Sequence, residues 1–379
     1  MKPNRILLAF DSFKGSLTSA EVAECVEETI MGINPMIEVD RCLMSDGGEG
    51  LLDTMLAVLP LHQEVHTVSD PLGQKIEARF GWDKNQRLAI IESAQANGLP
   101  LVPVKNRNPL KTTAYGVGEL IRSALDLGAK TIMVGLGGSA TNEAGLSILQ
   151  ALGAVIRDEK GNALPIMTGE LLTSVKTIDL ATLDERLEQT KIIAACDVNN
   201  PLTGPNGATY VYGPQKGATE ARLAMLEAGM ENVRGIITQT TGIDLNTVRG
   251  AGAAGGIAGT LHAVLKAELK PGIDVILQAQ QFEERIKTVD LVITGEGKSD
   301  SQTLMGKVPI GVLSVAKRHG VPAVLVSGIV DDASMMTQVG FAAALTVKPK
   351  EEPLEDAIKP GFARRNLRNT IKLLFSEIL

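Results

Sequence analysis

Short apolar runs that each end in a loop of glycine and polar residues constrain this chain more than any other feature. Ile6–Phe10, Thr131–Leu136, Lys191–Ala195, Leu291–Thr294, Ala323–Ser327 and Ala342–Val347 read as strands, with Val39–Met44 a weaker seventh. Several are apolar almost throughout, as strands must be when both faces of their sheet are covered. Helical patterns lie between many of them. Ser19–Met31 opens on the capping box Thr18-x-x-Glu21 and closes at Gly32, with Pro35 beyond. Pro309–Arg318 closes at His319-Gly320. Strand alternating with helix predicts an α/β fold built on a parallel, doubly wound sheet.

Two regions break that rhythm. Residues 62–93 read as three short strands, Gln63–Val68, Lys75–Trp82 and Arg87–Glu92, with an Asp70-Pro-Leu-Gly73 turn between the first two. Residues 201–281 read mostly helical, apart from an extended Ala208–Tyr212. The run Gly250-Ala-Gly-Ala-Ala-Gly-Gly-Ile-Ala-Gly259 suits tight helix packing or a ligand wall made of backbone. The expected organisation is therefore a discontinuous Rossmann-like domain, 1–61, 120–200 and 282–379, with a second, smaller α/β domain inserted as 62–119 and 201–281. A length of 379 residues favours about two domains.

Charge and composition exclude several partners. A net charge of −7 opposes binding to nucleic acid or an anionic membrane, and aromatic residues at 3% leave little for base stacking. Three cysteines, Cys25, Cys42 and Cys196, fit neither a disulfide framework nor a structural zinc site. The apolar run at Ile6–Phe10 is too short for a signal peptide and no run reaches eighteen apolar residues, so a cytoplasmic setting is expected.

The loops carry the chemistry. Asp11-Ser-Phe-Lys-Gly-Ser16, Ser45-Asp-Gly-Gly-Glu-Gly50, Gly135-Leu-Gly-Gly-Ser-Ala-Thr-Asn142, Cys196-Asp-Val-Asn-Asn-Pro201 and Gly295-Glu-Gly-Lys-Ser-Asp-Ser-Gln302 combine glycine or asparagine with carboxylates, hydroxyls and lysines. Glycine lets backbone N–H groups approach phosphate, and carboxylates hold a hard cation, so the set points to a phosphorylated, metal-bound ligand. There is no P-loop: Gly297-Lys298-Ser299 would need glycine at 292, where Val292 stands. Gly135-Leu136-Gly137-Gly138-Ser139-Ala140 also satisfies G-x-G-x-x-A, with Asp158 about twenty residues on, which keeps an NAD-dependent dehydrogenase of a small hydroxy acid open. A non-catalytic binder of a small acid is a third reading, opposed by the number of carboxylates.

Taken in order, these blocks, together with Gly213-Pro-Gln-Lys-Gly-Ala218 and Gly250-Ala-Gly-Ala-Ala-Gly-Gly256, resemble the bacterial glycerate kinase type I family over nearly the whole chain. The resemblance implies ATP-dependent phosphorylation of D-glycerate with Mg²⁺, usually at the 2-hydroxyl, with the 3-phosphate as the alternative product. It also implies a Rossmann-like domain plus an inserted α/β domain with the site in the cleft between them, and a monomer or homodimer whose partner is the small substrate alone. The chain departs from the family pattern at Glu143-Ala144-Gly145, where many relatives read Asp-Gly-Gly. Asp197, Asp46 and Lys14 are then the catalytic candidates, with Asp197 and Asp46 also the expected Mg²⁺ ligands. Gly137, Gly138, Ser139, Thr141, Asn142, Gly295, Glu296 and Gly297 are expected to meet ATP. Asp11, Ser12, Lys14, Gly47, Gly48 and Lys216 are expected to meet glycerate. Lys307 beside Gly306 is a weaker cationic candidate.

Overall fold

A computed structural model describes residues 3–45 and 50–378. The chain separates into two compact units, one of residues 1–46 with 271–379, the other the single stretch 47–270. Each has its own apolar core.

In the first unit, Ile6–Phe10 are wholly buried, which is why this run folds as the inner strand Arg5–Phe10 of a five-stranded sheet. Its neighbours are Glu38–Arg41 on one side and Leu291–Gly295 on the other, followed by Ala323–Ser327 and Ala343–Thr346, all parallel. The chain thus builds outward from Arg5–Phe10 to one side and then to the other. The carboxyl ends of Arg5–Phe10 and Leu291–Gly295 bracket the point of reversal, where open α/β sheets bind ligands. Helix Ser19–Ile33 carries the expected capping box: Glu21 N–H donates to Thr18 Oγ1 at 3.2 Å and Thr18 N–H to Glu21 Oε2 at 2.9 Å. Helix Pro360–Ile378 packs on it, with Arg364 Nη2 donating to Glu21 at 2.8 Å.

The second unit holds a six-stranded mixed sheet in the order Glu268–Lys270, Lys191–Ala195, Thr131–Gly135, Leu88–Glu92, Lys75–Asp83, His62–Ser69. The first four are parallel to one another; the last two form an antiparallel hairpin. Its turn is set by Asp70, whose Oδ1 accepts from the N–H groups of Leu72 and Gln74 at 2.8 Å each.

Expectation and structure part at three places. Thr131–Gly135 bonds to Leu88–Glu92 and Lys191–Ala195 bonds to Thr131–Gly135, neither to the sheet of Arg5–Phe10, so 47–270 is one inserted unit and the longer of the two. Apolar parallel strands look alike in sequence whichever sheet they join, and periodicity carries no pairing information. Ala208–Tyr212 is a helical turn, not a strand, although its Thr, Tyr and Val favour strands locally. Tertiary burial overrides that preference: Thr209 is fully buried and its Oγ1 accepts from Asn142 Nδ2 at 3.1 Å. Finally, the weak strand ends at Arg41, short of Met44.

Candidate active site

In the first unit, three loops leave the carboxyl ends of adjacent strands and are stitched to one another by backbone. Asp11 N–H donates to Gly295 O at 2.9 Å, Gly328 N–H to Glu296 O at 3.0 Å and Ile329 N–H to Gly297 O at 3.1 Å. Only glycine permits this spacing: a Cβ on Gly295 would stand 1.8 Å from Val326 O. The loops border a cavity of about 430 Å³ that brings together Asp11, Ser12, Lys14, Glu296 and Gly297, five of the residues the motifs singled out, and adds Lys307.

Asp11 is buried, and its Oδ1 accepts from Ser12 N–H at 2.6 Å. Glu296, 6% exposed, accepts from Thr303 Oγ1 at 2.6 Å and Ser299 Oγ at 3.1 Å, and lies 3.5 Å from Lys307 Nζ. Burial holds its carboxyl above the ordinary range, against those hydrogen bonds and the Lys307 charge. Lys14 is exposed at the cavity. Cations, a buried acid and glycine-lined backbone at one strand-end cavity make a chemistry suited to phosphate.

In the second unit, Gly137–Asn142 follows the strand Thr131–Gly135. Gly138 is exposed and left-handed, with φ of 63°, whereas Ser139, Thr141 and Asn142 are buried. Their side chains are engaged internally: Lys216 Nζ donates to Ser139 Oγ at 3.1 Å and to Thr141 O at 2.6 Å, and Asn97 Nδ2 donates to Thr141 Oγ1 at 3.0 Å. Lys216 is itself 2% exposed, so its ammonium holds this loop from behind instead of facing solvent. Burial lowers its pKa to about 7, with Glu143 pulling the other way. Glu143 is pushed up to about 8 by burial, against hydrogen bonds from Ser147 N–H and Oγ at 3.0 and 3.1 Å.

Asp197 follows the neighbouring strand Lys191–Ala195, whose last carbonyl accepts from Leu136 N–H at 2.9 Å. Asp197 is partly exposed. Burial, and then the Asp197 charge, push the Cys196 thiol up to about 11, which keeps it a thiol and not a nucleophile. Asp46, Gly47 and Gly48 lie outside the described residues. Asp158 serves its own turn, accepting from Lys160 and Asn162 N–H at 2.9 Å each, which removes it as a ribose ligand and with it the dinucleotide fingerprint. Among the described residues no group of three or more His, Cys, Asp or Glu is placed to hold a metal, and no helix is long and apolar enough to cross a membrane.

The sequence matches the glycerate kinase family over residues 6–378. The chain belongs to this family. It is similar to the glycerate kinase of Bacillus subtilis (strain 168), at 43% identity over 94% of this chain and 93% of that protein. It is similar to the glycerate 2-kinase of Escherichia coli (strain K12), at 41% identity over 97% and 98% of the two chains. It also resembles a crystal structure described as a glycerate kinase 2 from Salmonella typhimurium LT2, with a TM-score of 0.84, 40% identity and coverage of 99% and 98%.

Against the family pattern, the departure at 143–145 has a visible consequence. Ala144 sits at φ of 56°, a conformation in which glycine is unstrained, and it is held there by N–H donation to Gly255 O at 3.0 Å and by Thr260 Oγ1 bonding to its carbonyl. Asn97, through Thr141, and Thr209, through Asn142, support the glycine loop and were invisible to motif reading, because neither lies in a phosphate-like pattern. The far wall of the first cavity, from Val347, Leu354, Ile358 and Ala363, was equally invisible.

Proposed function

We propose that this chain transfers the terminal phosphoryl group of ATP to the 2-hydroxyl of D-glycerate, giving 2-phosphoglycerate and ADP. The observation that carries the reading is the 41% identity to a glycerate 2-kinase across nearly the full length of both proteins. The hydroxyl loses its proton as its oxygen forms the new bond to phosphorus and the bond to ADP breaks; a carboxylate in reach accepts that proton. Asp197 is the proposed acceptor, a partly exposed carboxylate at the end of a parallel strand. Lys14 is the proposed point charge for phosphate, being exposed at the cavity. Lys216, through Ser139 and Thr141, keeps the Gly137-Gly138 tip in place so that its backbone faces outward.

Mg²⁺ fits a donor set of this kind, since it takes one or two carboxylates and completes its shell with phosphate oxygens and water. Asp197 is suited to hold it, with Asp46 as the second carboxylate of the sequence pattern. When bound, Mg²⁺ neutralises charge on the phosphates. The test is ADP release by the purified protein with Mg-ATP and D-glycerate, with phosphorus NMR of the product. Glycerate-dependent ADP and a 2-phosphate resonance are expected. A 3-phosphate would overturn the regiochemistry, and no ADP from folded protein would overturn the reaction.

A further inference from the structure

The cavity of the first unit has two unlike halves. One is polar, with Asp11, Lys14, Glu296 and Lys307 from the strand-end loops. The other is apolar and comes from the last fifty residues of the chain. Ala357 and Ala363 are buried there, while Leu354 and Ile358 stand 54% and 41% exposed at the same cavity. Two aliphatic side chains left open beside a small-residue wall form an apolar surface at the same cavity as Lys14 and Lys307, the latter 3.5 Å from Glu296. A three-carbon hydroxy acid has no apolar face to lay on such a wall. A purine has one, and a nucleoside polyphosphate carries the anionic tail that the opposite half requires.

We propose that this cavity binds an adenine nucleotide, its base and ribose against Leu354, Ile358 and Ala363 and its phosphates toward Lys14 and Lys307. The inference rests on the kinase reading above and adds where the nucleotide sits and which residues hold its base. Three further observations support it. The cavity lies at the carboxyl ends of Arg5–Phe10 and Leu291–Gly295, beside the reversal of strand order. Its volume of about 430 Å³ falls within the range of small-molecule sites. Ser16 Oγ, on the same lining, is buried and finds no hydrogen-bond partner among the described residues, so it is available to a ligand oxygen.

The test is calorimetric titration of the full-length protein with ADP, for the wild type and for Ile358→Asn. The substitution is neutral, so charge repulsion cannot explain its effect, and it lies at an exposed position where folding is preserved. ADP affinity is expected to fall by about tenfold or more, with KM for ATP rising in parallel and KM for D-glycerate unchanged. Hydrogen exchange on ADP binding is expected to slow at residues 347–366. Wild-type ADP affinity and an unchanged KM for ATP in the folded variant would overturn the site while leaving the kinase reading intact. ADP binding that weakens in the variant, in a protein that releases no ADP with glycerate, would keep the site and sink the reaction.

Discussion

Burial drives Glu143 and Lys216 toward their neutral forms, and this gives the inserted unit a measurable pH signature. Burial pushes the Glu143 carboxyl up to about 8 in the folded chain, from the ordinary value of about 4.5 that it has when unfolded. A raised acid contributes stability that is complete below the unfolded value and is lost as pH rises through the folded one. Glu143→Gln keeps an acceptor for Ser147 but removes the titration. Thermal melts should therefore show the wild type losing stability relative to Glu143→Gln between about pH 5 and pH 9, by at most about 1.4 kcal/mol per pH unit. A difference that stays constant across that range would show that Glu143 does not change protonation on folding. Lys216 is proposed as a positioning residue, since its buried Nζ donates to Ser139 and Thr141. Asp197 is the contrasting case, an acid at a strand end with solvent access. Asp197→Asn should lower kcat by about two orders of magnitude or more while leaving the melting temperature within a few degrees. Near-normal turnover would remove Asp197 from the proton transfer.

The strand-end loops of the first unit depend on contact distances that a side chain forbids. Gly295→Ala should cost about 3 kcal/mol, the upper end for overpacking, because its Cβ would meet the carbonyl of Val326 at 1.8 Å and backbone has to move. Gly15→Ala is the control. Its φ of 77° imposes left-handed strain of about 1–2 kcal/mol, but nothing lies within 4 Å of the added atom. Denaturant melts that rank Gly15→Ala as the more damaging would overturn the close-packing account. The motifs Asp11–Ser16 and Gly295–Gly297 thus announced themselves as loops by composition. Gly15 is required by its left-handed backbone and Gly295 by the stacking of the loops against one another, and no sequence window shows which loops become neighbours.

Two units with separate cores predict two unfolding events. Trp82 is the sole tryptophan of the chain and is buried in the core of the inserted unit, whereas Leu8 is fully buried in the core of the other. Leu8→Ala should remove about 2–5 kcal/mol from the first unit. Far-UV circular dichroism then gains an earlier transition, while the Trp82 fluorescence midpoint stays where it was. A fluorescence midpoint that shifts together with the circular dichroism would mean that the chain unfolds as one cooperative body.

What the sequence determined by itself is local. The apolar runs gave their strands, Thr18 and Glu21 gave the cap of the first helix, the 62–93 region gave its hairpin and third strand, and glycine beside carboxylates gave the loops and the family. These signals act over a few residues or repeat with the period of one element, so they are legible in a single chain. Pairing was decided only in three dimensions. Thr131–Gly135 joined Leu88–Glu92, Lys216 turned inward to Ser139, and residues 354–363 came back to wall a cavity opened by residue 11. Burial and register between distant segments depend on how whole faces fit, and that information is spread over the chain, with no share of it local to any motif.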